Sequence, residues 1–226
     1  MAPAEALVEV SAVLEIRQPP AGNRLYFWAL QASFSDDSGH AHGGAHLGLQ
    51  WNARHPDNCA VNWGGYAGNG CLLAGSASPL ASAPQDPNTR DYRWQAGRRY
   101  RLHIGPCADR AGWWRGTVSD LQTGEASVVR DLYGDGGGDR LAAPVVWSEV
   151  FARCDDPSVQ VRWSELGATT VDRRTVRPRG VEVSYEAHTA GGCDNTDVVA
   201  DVDGVVQVTN TDRITGPGAI ITWPPG

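Results

Sequence analysis

The chain has 226 residues and a mass of 24.2 kDa, which is enough for one domain with a substantial core, and we predict a single domain over residues 1–226. The sequence contains 19 basic and 26 acidic residues, so its net charge is -7, and it has no block of like charges. This balance argues against nucleic acid or an anionic membrane as a partner, and we expect a monomer.

The predicted elements are almost all strands. Short runs with alternating or β-branched character recur between clusters of Gly, Pro, Asn and Asp, and no window keeps helical spacing for three turns. We therefore predict an all-β fold, an antiparallel two-sheet jelly-roll sandwich with very little helix. The segment 169–180 is a minor candidate boundary, after which residues 181–226 complete the sandwich. In chain order the runs include LVEVSAVLEI, NRLYFWALQASF, AHLGLQWN, CAVNWGGY, RRYRLHIG, WWRGTVSDL, APVVWSEVFA, SVQVRWSEL and VVQVTN.

The segment after the second run, residues 35–46, contains three histidines. His40 and His42 alternate on a strand, and His46 could complete three ligands of a metal ion with water in the fourth position. The alternative is that these histidines are solvated side chains of a Gly-rich turn, because their spacing matches no specific metal motif.

Five cysteines show no C-x-x-C spacing, which argues against a zinc knuckle or a redox motif. We predict two disulfides, Cys59–Cys71 and Cys154–Cys193, leaving one cysteine unpaired. Disulfides indicate a secreted protein. The N-terminus MAPAEALVEV has no signal-peptide character, so the prediction is of an extracellular protein whose leader is absent from this sequence.

Nine tryptophans stand beside only three phenylalanines and one methionine. An exposed indole is a stacking platform for the apolar face of a sugar, and the adjacent Trp113 and Trp114 cannot both be core residues of one strand. We predict Trp63, Trp94 and Trp114 as ligand-binding residues, with capping of the open ends of the sandwich as the alternative.

The order YFWALQASF, AHLGLQWN, RDYRWQAGRRYRLHI, GWWRGTVSDLQTGE and VVWSEVF resembles a group of uncharacterised exported bacterial proteins, similar in outline to concanavalin A-like lectins and glucanases. The resemblance covers residues 5–166 and implies a sandwich that meets glycans outside the cell. The chain lacks the E-x-D-x-E strand of laminarinase-like glucanases. All 19 basic residues are arginine, which is typical of a GC-rich genome and points to an actinobacterial source.

The triplet W-S-E occurs twice, at Trp147–Glu149 and at Trp163–Glu165, on either side of a turn-forming C-D-D-P-S. If the two runs form one hairpin, Glu149 faces Glu165 at about the 5 to 5.5 Å that a retaining glycosidase uses for its acid and nucleophile. Their face of the hairpin would also carry the ligand-binding side chains Trp147, Phe151, Arg153 and Trp163. The alternative is that this face is core, with the two carboxylates neutralised there.

Two acidic loops, Asp135–Asp139 and Asp194–Asp203, could hold structural calcium, with Asp194 and Asp197 as candidate ligands. Neither loop matches the EF-hand spacing, and acidic residues also dominate ordinary turns. We predict no cofactor other than this calcium.

These observations predict a carbohydrate-binding, lectin-like sandwich with a glycan as its partner. The first alternative is a glycoside hydrolase or polysaccharide lyase that uses Glu149 and Glu165. The second is a structural or interaction module with flat surfaces and no small ligand.

Overall fold

The computed structural model describes residues 6–81, 86–134 and 138–224. Within these ranges the chain forms fifteen strands and only two short 3₁₀ turns, Pro56–Asn58 and His188–Ala190, so the all-β prediction with very little helix is confirmed. The strands are β1 Leu7–Gln18, β2 Tyr26–Ser35, β3 Ala41–Trp51, β4 Cys59–Ala67, β5 Thr89–Asp91, β6 Arg99–Pro106, β7 Trp113–Asp120, β8 Ala126–Tyr133, β9 Arg140–Val150, β10 Gln160–Thr170, β11 Thr175–Val176, β12 Gly180–Glu182, β13 Thr196–Asp201, β14 Gly204–Thr209 and β15 Ile220–Thr222.

Side-chain alternation explains why these segments are strands. Along β7 the residues alternate strictly between half-buried and buried positions, as expected for a strand with one face on a core. Strand β2 is more heavily buried, because eight of its 10 residues, all except Gln31 and Ser33, are buried. The burial patterns therefore distinguish β7, with one buried face, from β2, which is buried on both faces over most of its length.

The strands form two antiparallel layers that share one continuous hydrogen-bonded network. The first layer has the order β13-β14-β10-β1-β6-β7-β8, and the second has the order β9-β2-β3-β4-β5. The layers join where Leu7 of β1 pairs with Leu141 of β9, and from there β1 continues beside β6 while β9 continues beside β2. The two layers diverge on either side of this junction.

The core between the layers is built from tryptophans. Trp63 of β4 packs against Gly116 of β7, where a Cβ atom would come within 2.7 Å of the indole Cγ. The ring of Trp114 stacks on Phe34 with a centroid distance of 5.5 Å. The glycine lets the two layers approach closely enough to enclose these large rings.

The core position of these rings corrects four predicted ligand-binding residues. Trp63, Trp94, Trp114 and Trp163 are at most 4% exposed and cannot stack on a ligand. Of the adjacent pair on β7, Trp113 is the half-exposed ring and lies under the guanidinium of Arg110. All four rings belong to the hydrophobic core, which for Trp163 is the core alternative given above.

The last part of the chain extends the first layer and also forms a separate small sheet. Strands β13 and β14 extend the first layer beyond β10, because β14 pairs with β10 over Gln160–Ser164. Strands β12 and β15 pair only with each other and form a separate small sheet. Val183, directly after β12, is buried, so this small sheet is packed against the body of the protein. The single-domain assignment stays a prediction.

No helix in the described ranges is long and apolar enough to cross a membrane.

Candidate functional site

The two W-S-E strands do not form a hairpin. β9 pairs with β2, so that Glu149 lies opposite Phe27, and β10 pairs with β1 and β14. The connection between them, residues 151–159, passes from one layer to the other. The predicted pairing of Glu149 with Glu165 is therefore wrong, because each strand already has its neighbours in a different layer.

Glu165 is a structural carboxylate. It lies at an irregularity of β10, where the register with β1 shifts between Ser164 and Gly167, and its φ of 47° is in the left-handed region. This bend turns Glu165 outward, where its carboxylate accepts hydrogen bonds from Arg99 and Arg101 of β6. Although partial desolvation of Glu165 acts in the opposite direction, these two arginines lower the pKa of its carboxyl group.

The β9 triplet has a more open environment. Trp147 is half-buried on the outer face of the second layer, and its indole donates a hydrogen bond to Oε1 of Gln31 at 3.1 Å. The ring meets Phe27 edge-on at 5.0 Å and His46 at 5.8 Å. Burial among these rings lowers the pKa of His46 to about 4, so its imidazole is neutral at ordinary pH.

Gln207 of β14 links the two triplets from the side of the core. Its Oε1 atom accepts hydrogen bonds from Ser148 Oγ at 2.5 Å and from Trp163 Nε1 at 3.0 Å. Trp163 is fully buried, so this amide oxygen satisfies a donor that water does not reach. The bond to Ser148 crosses the gap between the layers and marks the inner end of a cleft.

This cleft, of 980 Å³, lies between β9 and the C-terminal part of the chain. Residues 144–151 form one wall, and Pro178, residues 180–186 and residues 190–193 form the other, which we call the C-terminal wall. The floor comes from β1, β10 and β14 of the first layer. The floor side chains are mainly aliphatic and include Val10, Val159, Val161, Val205 and Val208.

The wall formed by β9 is a strand edge without a partner. Apart from the junction at Leu141, β9 pairs only with β2, and no described residue pairs with the other edge of residues 142–150. Pro144 lies on this edge beside Ala143, which has a φ of 46°. A proline that lacks an N–H group is typical of an edge strand.

The cleft carries acidic groups and no basic ones. Glu149, Glu182 and Glu186 line it, and its described lining residues include no arginine, lysine or histidine. Partial burial raises the pKa of Glu149, and repulsion from Glu186 on the opposite wall raises it further. Glu149 therefore holds its proton to a higher pH than an isolated glutamate does.

A disulfide closes one end of the cleft. Cys154, in the connection after β9, is bonded to Cys193 of the C-terminal wall, with a Cα–Cα distance of 5.5 Å. This confirms one of the two predicted bridges. The other, Cys59–Cys71, is wrong: both cysteines are free, because Cys59 is buried beside Trp94 while Cys71 is exposed in the turn that follows β4.

The remaining predicted ligand residues lie near the rim. Phe151 is 56% exposed at the edge of the cleft, and Arg153 projects to solvent with Asp155 as its partner at 2.8 Å. Together with Trp147 and Glu149 they fall on one stretch of the chain, but they do not converge on a common surface with Trp163 or Glu165.

The predicted metal ligands do not assemble. His40 and His42 are neighbours with a ring distance of 5.1 Å, but His42 binds Asp36 at 2.9 Å, and His46 belongs to the Trp147 cluster. In the ranges that the structure describes, no group of three or more His, Cys, Asp or Glu side chains is placed to hold a metal ion. The histidine trio is thus wrong as a ligand set.

Among the described residues, the one buried aspartate of the two acidic loops binds backbone N–H groups. Asp197 is buried and accepts hydrogen bonds from the backbone N–H groups of Val198, Ile214 and Thr215, which lower its pKa against the effect of burial. Asp194 is exposed. Of the loop Asp135–Asp139, residues 135–137 lie outside the described residues. Asp194 and Asp197 thus belong to no group of three such side chains in the described ranges, and structural calcium stays a prediction.

Sequence reasoning missed the opposite wall of the cleft. Glu182, Tyr185 and Glu186 come from the run GVEVSYEA, in the segment 181–226 that was expected only to complete the sandwich. Its alternation carries no signal that it would face β9. The predicted disulfide at Cys193 was the one available sign that this part of the chain lies beside the connection after β9.

No protein-family model and no curated protein matches the chain. Among solved structures, it is similar to scytalido-glutamic peptidase bound to a transition-state analog inhibitor, with a TM-score of 0.45, and to the same enzyme bound to a peptide-based transition-state analog, with a TM-score of 0.46. Each is 12% identical, and each match covers 92% of this chain and 97% of the other. SCP-B, a member of the eqolisin family of peptidases in complex with the tripeptide Ala-Ile-His, has a TM-score of 0.46, 12% identity, and coverage of 92% and 94%.

Similarity at this level assigns no activity to the chain. The predicted sugar-binding face does not exist, since Trp163 is sealed in the core and Glu165 is held by arginines. The carbohydrate-binding prediction and its glycosidase or lyase alternative are wrong. The flat surfaces expected of a structural or interaction module are not found over the described residues, which form a cleft, but a role without a small ligand stays a prediction.

Proposed function

We propose that the chain binds an extended segment of another polypeptide in the cleft, where the segment adds a strand to the free edge of β9. The observation that carries this proposal is the unpaired edge of residues 145–150, which lines the cleft along its length. A free strand edge presents a row of backbone N–H and C=O groups, and extended peptides bind such edges through main-chain hydrogen bonds.

The cleft supplies what an isolated edge lacks. Side chains on one face of an added strand would meet the aliphatic floor at Val10, Val161 and Val205, while those on the other face would point to solvent. Its volume is near the upper limit of about 1,000 Å³ for ligand sites, which suits an elongated ligand. Apolar burial then adds affinity to the backbone bonds.

A competition between two peptides tests this function. An uncharged acetylated hexapeptide, Ser-Val-Thr-Val-Ser-Val, is titrated into the protein and followed by calorimetry and by backbone amide shifts. We expect binding for this peptide and none for its analogue N-methylated at every second residue, which cannot form the ladder. Equal binding of the two would contradict strand addition.

A cleft-blocking variant provides the matched control on the protein. Ser184 is exposed on the C-terminal wall of the cleft, and Ser184→Trp should abolish binding by filling the space. Gln122→Trp places the same ring on an exposed turn after β7, outside the cleft, and should leave the affinity unchanged. Loss of binding in both variants would place the interaction elsewhere.

A second candidate function is hydrolysis of the bound polypeptide in mildly acidic solution. The observation that favours it is the raised pKa of Glu149 opposite the carboxylate of Glu186. In this scheme Glu186 accepts a proton from water as the oxygen adds to the peptide carbonyl carbon. Glu149 donates its proton to the amide nitrogen, the C–N bond breaks, and a carboxylic acid and an amine leave.

The experiment is to incubate a tryptic digest of casein with the protein between pH 3 and pH 7 and to identify new termini by mass spectrometry. We expect cleavage that falls as pH rises through the pKa of Glu149 and is lost in Glu149→Gln. Glu125→Gln, in the exposed turn between β7 and β8, is the control. Cleavage that persists in Glu149→Gln would exclude this carboxyl group from the reaction.

We further propose that the protein is exported from a bacterial cell, of actinobacterial source, to an oxidising compartment. The Cys154–Cys193 bond supports this location, because disulfides persist in such compartments, and the arginine-only basic residues fit a GC-rich genome. Cell fractionation with thiol labelling should recover the protein outside the cytoplasm with three reactive thiols after unfolding, those of Cys59, Cys71 and Cys107. Cytoplasmic protein with five reactive thiols would contradict it.

A further inference from the structure

We infer that the polypeptide segment held in the cleft carries a basic side chain, lysine or arginine, placed between Glu149 and Glu186. This inference rests on the proposed polypeptide-binding function and specifies the chemistry of its ligand. It concerns the selectivity of binding and is independent of whether the bound chain is cut.

The first support is the charge of the cleft. Three glutamates line it, Glu149 on the β9 wall and Glu182 and Glu186 on the C-terminal wall, and none of its described lining residues is basic. The three carboxylates are exposed at the cleft, and most of the other lining side chains are apolar, so no cation in the lining offsets their charge. A cation that enters this region is attracted by charges on both walls.

The second support is a contrast with three carboxylates elsewhere in the protein. Glu165 is bound by Arg99 and Arg101, Asp131 by Arg115, and Asp201 by Arg162 and Arg17. Within the described ranges, the three cleft glutamates form no ion pair. A chain with 19 arginines thus neutralises these other carboxylates and leaves those of the cleft unpaired.

The third support is that Arg213, a cation near the cleft, already has other partners. Arg213 lies close to the C-terminal wall but is committed elsewhere, since its guanidinium stacks on the Tyr185 ring at 3.9 Å and donates to the carbonyl oxygens of Cys193 and Thr196. It therefore braces the wall from outside the cleft. The repulsion between Glu149 and Glu186 remains to be offset by a ligand.

The geometry of an added strand fits this pairing. The side chains of an added strand alternate between the two faces of the sheet, so its residue opposite Glu149 can direct a long side chain toward that carboxylate while its neighbours contact the floor. The methylene stem of lysine or arginine can lie on apolar surface while its charged head reaches both carboxylates. An acidic side chain at this position would be repelled.

The experiment uses three hexapeptides that differ at one position: Ser-Val-Lys-Val-Ser-Val, its norleucine analogue and its glutamate analogue, each acetylated and amidated. We expect the lysine peptide to bind about tenfold more tightly than the norleucine peptide at low salt, and the difference to shrink at high salt. The glutamate peptide should bind most weakly. In Glu186→Gln the advantage of lysine over norleucine should fall severalfold, whereas Glu125→Gln should keep it.

The outcomes separate this inference from the function on which it rests. If the norleucine and lysine peptides bind equally well, the charge inference is overturned and strand addition stands. If lysine binds more tightly but the advantage survives in Glu186→Gln together with Glu149→Gln, the cation lies elsewhere and the inference is likewise overturned. If none of the three peptides binds, both the inference and the proposed function fail.

Discussion

The two W-S-E triplets have identical sequences and opposite environments. On β10, Trp163 and Ser164 are completely buried, and Glu165 is turned outward between two arginines that lower its pKa. On β9, Trp147 is half-buried, and Glu149 lies at a cleft where partial burial and then an opposing carboxylate raise its pKa. The same three residues thus give a structural ion cluster in one layer and an unpaired acid in the other.

The difference comes from the neighbouring strands. β10 has partners on both edges, and the register shift at Glu165 separates its carboxylate from the indole of Trp163. β9 has one partner strand and an open edge, so the backbone groups of that edge and the neighbouring side chains line the cleft. What each triplet does is decided by what lies beside its strand.

The largest expected difference between the triplets is in stability. Trp163→Ala removes a fully buried ring and should lower the free energy of unfolding by about 3–5 kcal/mol. Trp147→Ala removes a half-exposed ring and should cost clearly less. Urea unfolding at neutral pH measures both, and equal losses would show that the β9 ring is as important to the core as the β10 ring.

The hydrogen bonds at Gln207 give the next largest effect. Gln207→Leu leaves the buried Nε1 atom of Trp163 without an acceptor and should cost about 1–3 kcal/mol, whereas Ser148 lines the cleft and can turn to water. The same substitution in a Trp163→Phe background should cost much less, because the unsatisfied donor is absent. A double-mutant cycle measured by urea unfolding tests this, and strict additivity would contradict it.

The substitution Glu165→Gln should cause a small loss of stability that depends on pH. Its carboxyl pKa is lowered in the folded protein, so its stabilising contribution is present above the unfolded value of 4.5 and is lost as pH falls through the lower folded value. Since the carboxylate is more than one-third exposed, we expect less than about 1 kcal/mol at pH 7. Melting temperatures of the wild type and the variant should converge in acid, and a gap that is constant with pH would contradict the ion-pair account.

The substitution Glu149→Gln should act in the opposite direction and be smaller still. Its pKa is raised on folding, so the wild type is relatively most stable below the unfolded value of 4.5 and loses stability as pH rises through the folded value. The variant lacks this loss and should therefore melt slightly higher than the wild type at pH 7 and equally at pH 4. A lower melting temperature at pH 7 would show that the Glu149 carboxylate has a stabilising partner.

The sequence was sufficient for the strands but not for their partners. Alternation predicted nearly every long strand, and the acidic flanks of Cys154 and Cys193 led to the correct disulfide. The C-D-D-P-S turn predicted a hairpin, yet a turn only reverses the chain and does not require the next strand to join the same layer. Strand pairing depends on residues far away in sequence, such as Leu7 beside Leu141.

The faces of β10 were mispredicted for a local reason. Strict alternation places Trp163 and Glu165 on one face, but the left-handed φ of Glu165 interrupts it. Glutamate is not a residue that favours this conformation, so the sequence gives no sign of the irregularity. The tryptophans were mispredicted because an indole can pack in a core as well as bind a ligand, and only the packing of the two layers, such as that of Trp63 on Gly116, distinguishes the two roles.

Pro144 limits the length of peptide that could pair with the β9 edge in the proposed function. It has no N–H group, and Ala143 before it departs from extended geometry, so a ladder on the β9 edge runs without interruption only along Val145–Val150. At about 3.3–3.4 Å per residue, this edge can pair with roughly 20 Å of an extended peptide. In a longer peptide, the main-chain hydrogen bonds to β9 would stop at the proline. The protein would therefore bind a short internal segment of a polypeptide and would require neither its free amino end nor its free carboxyl end.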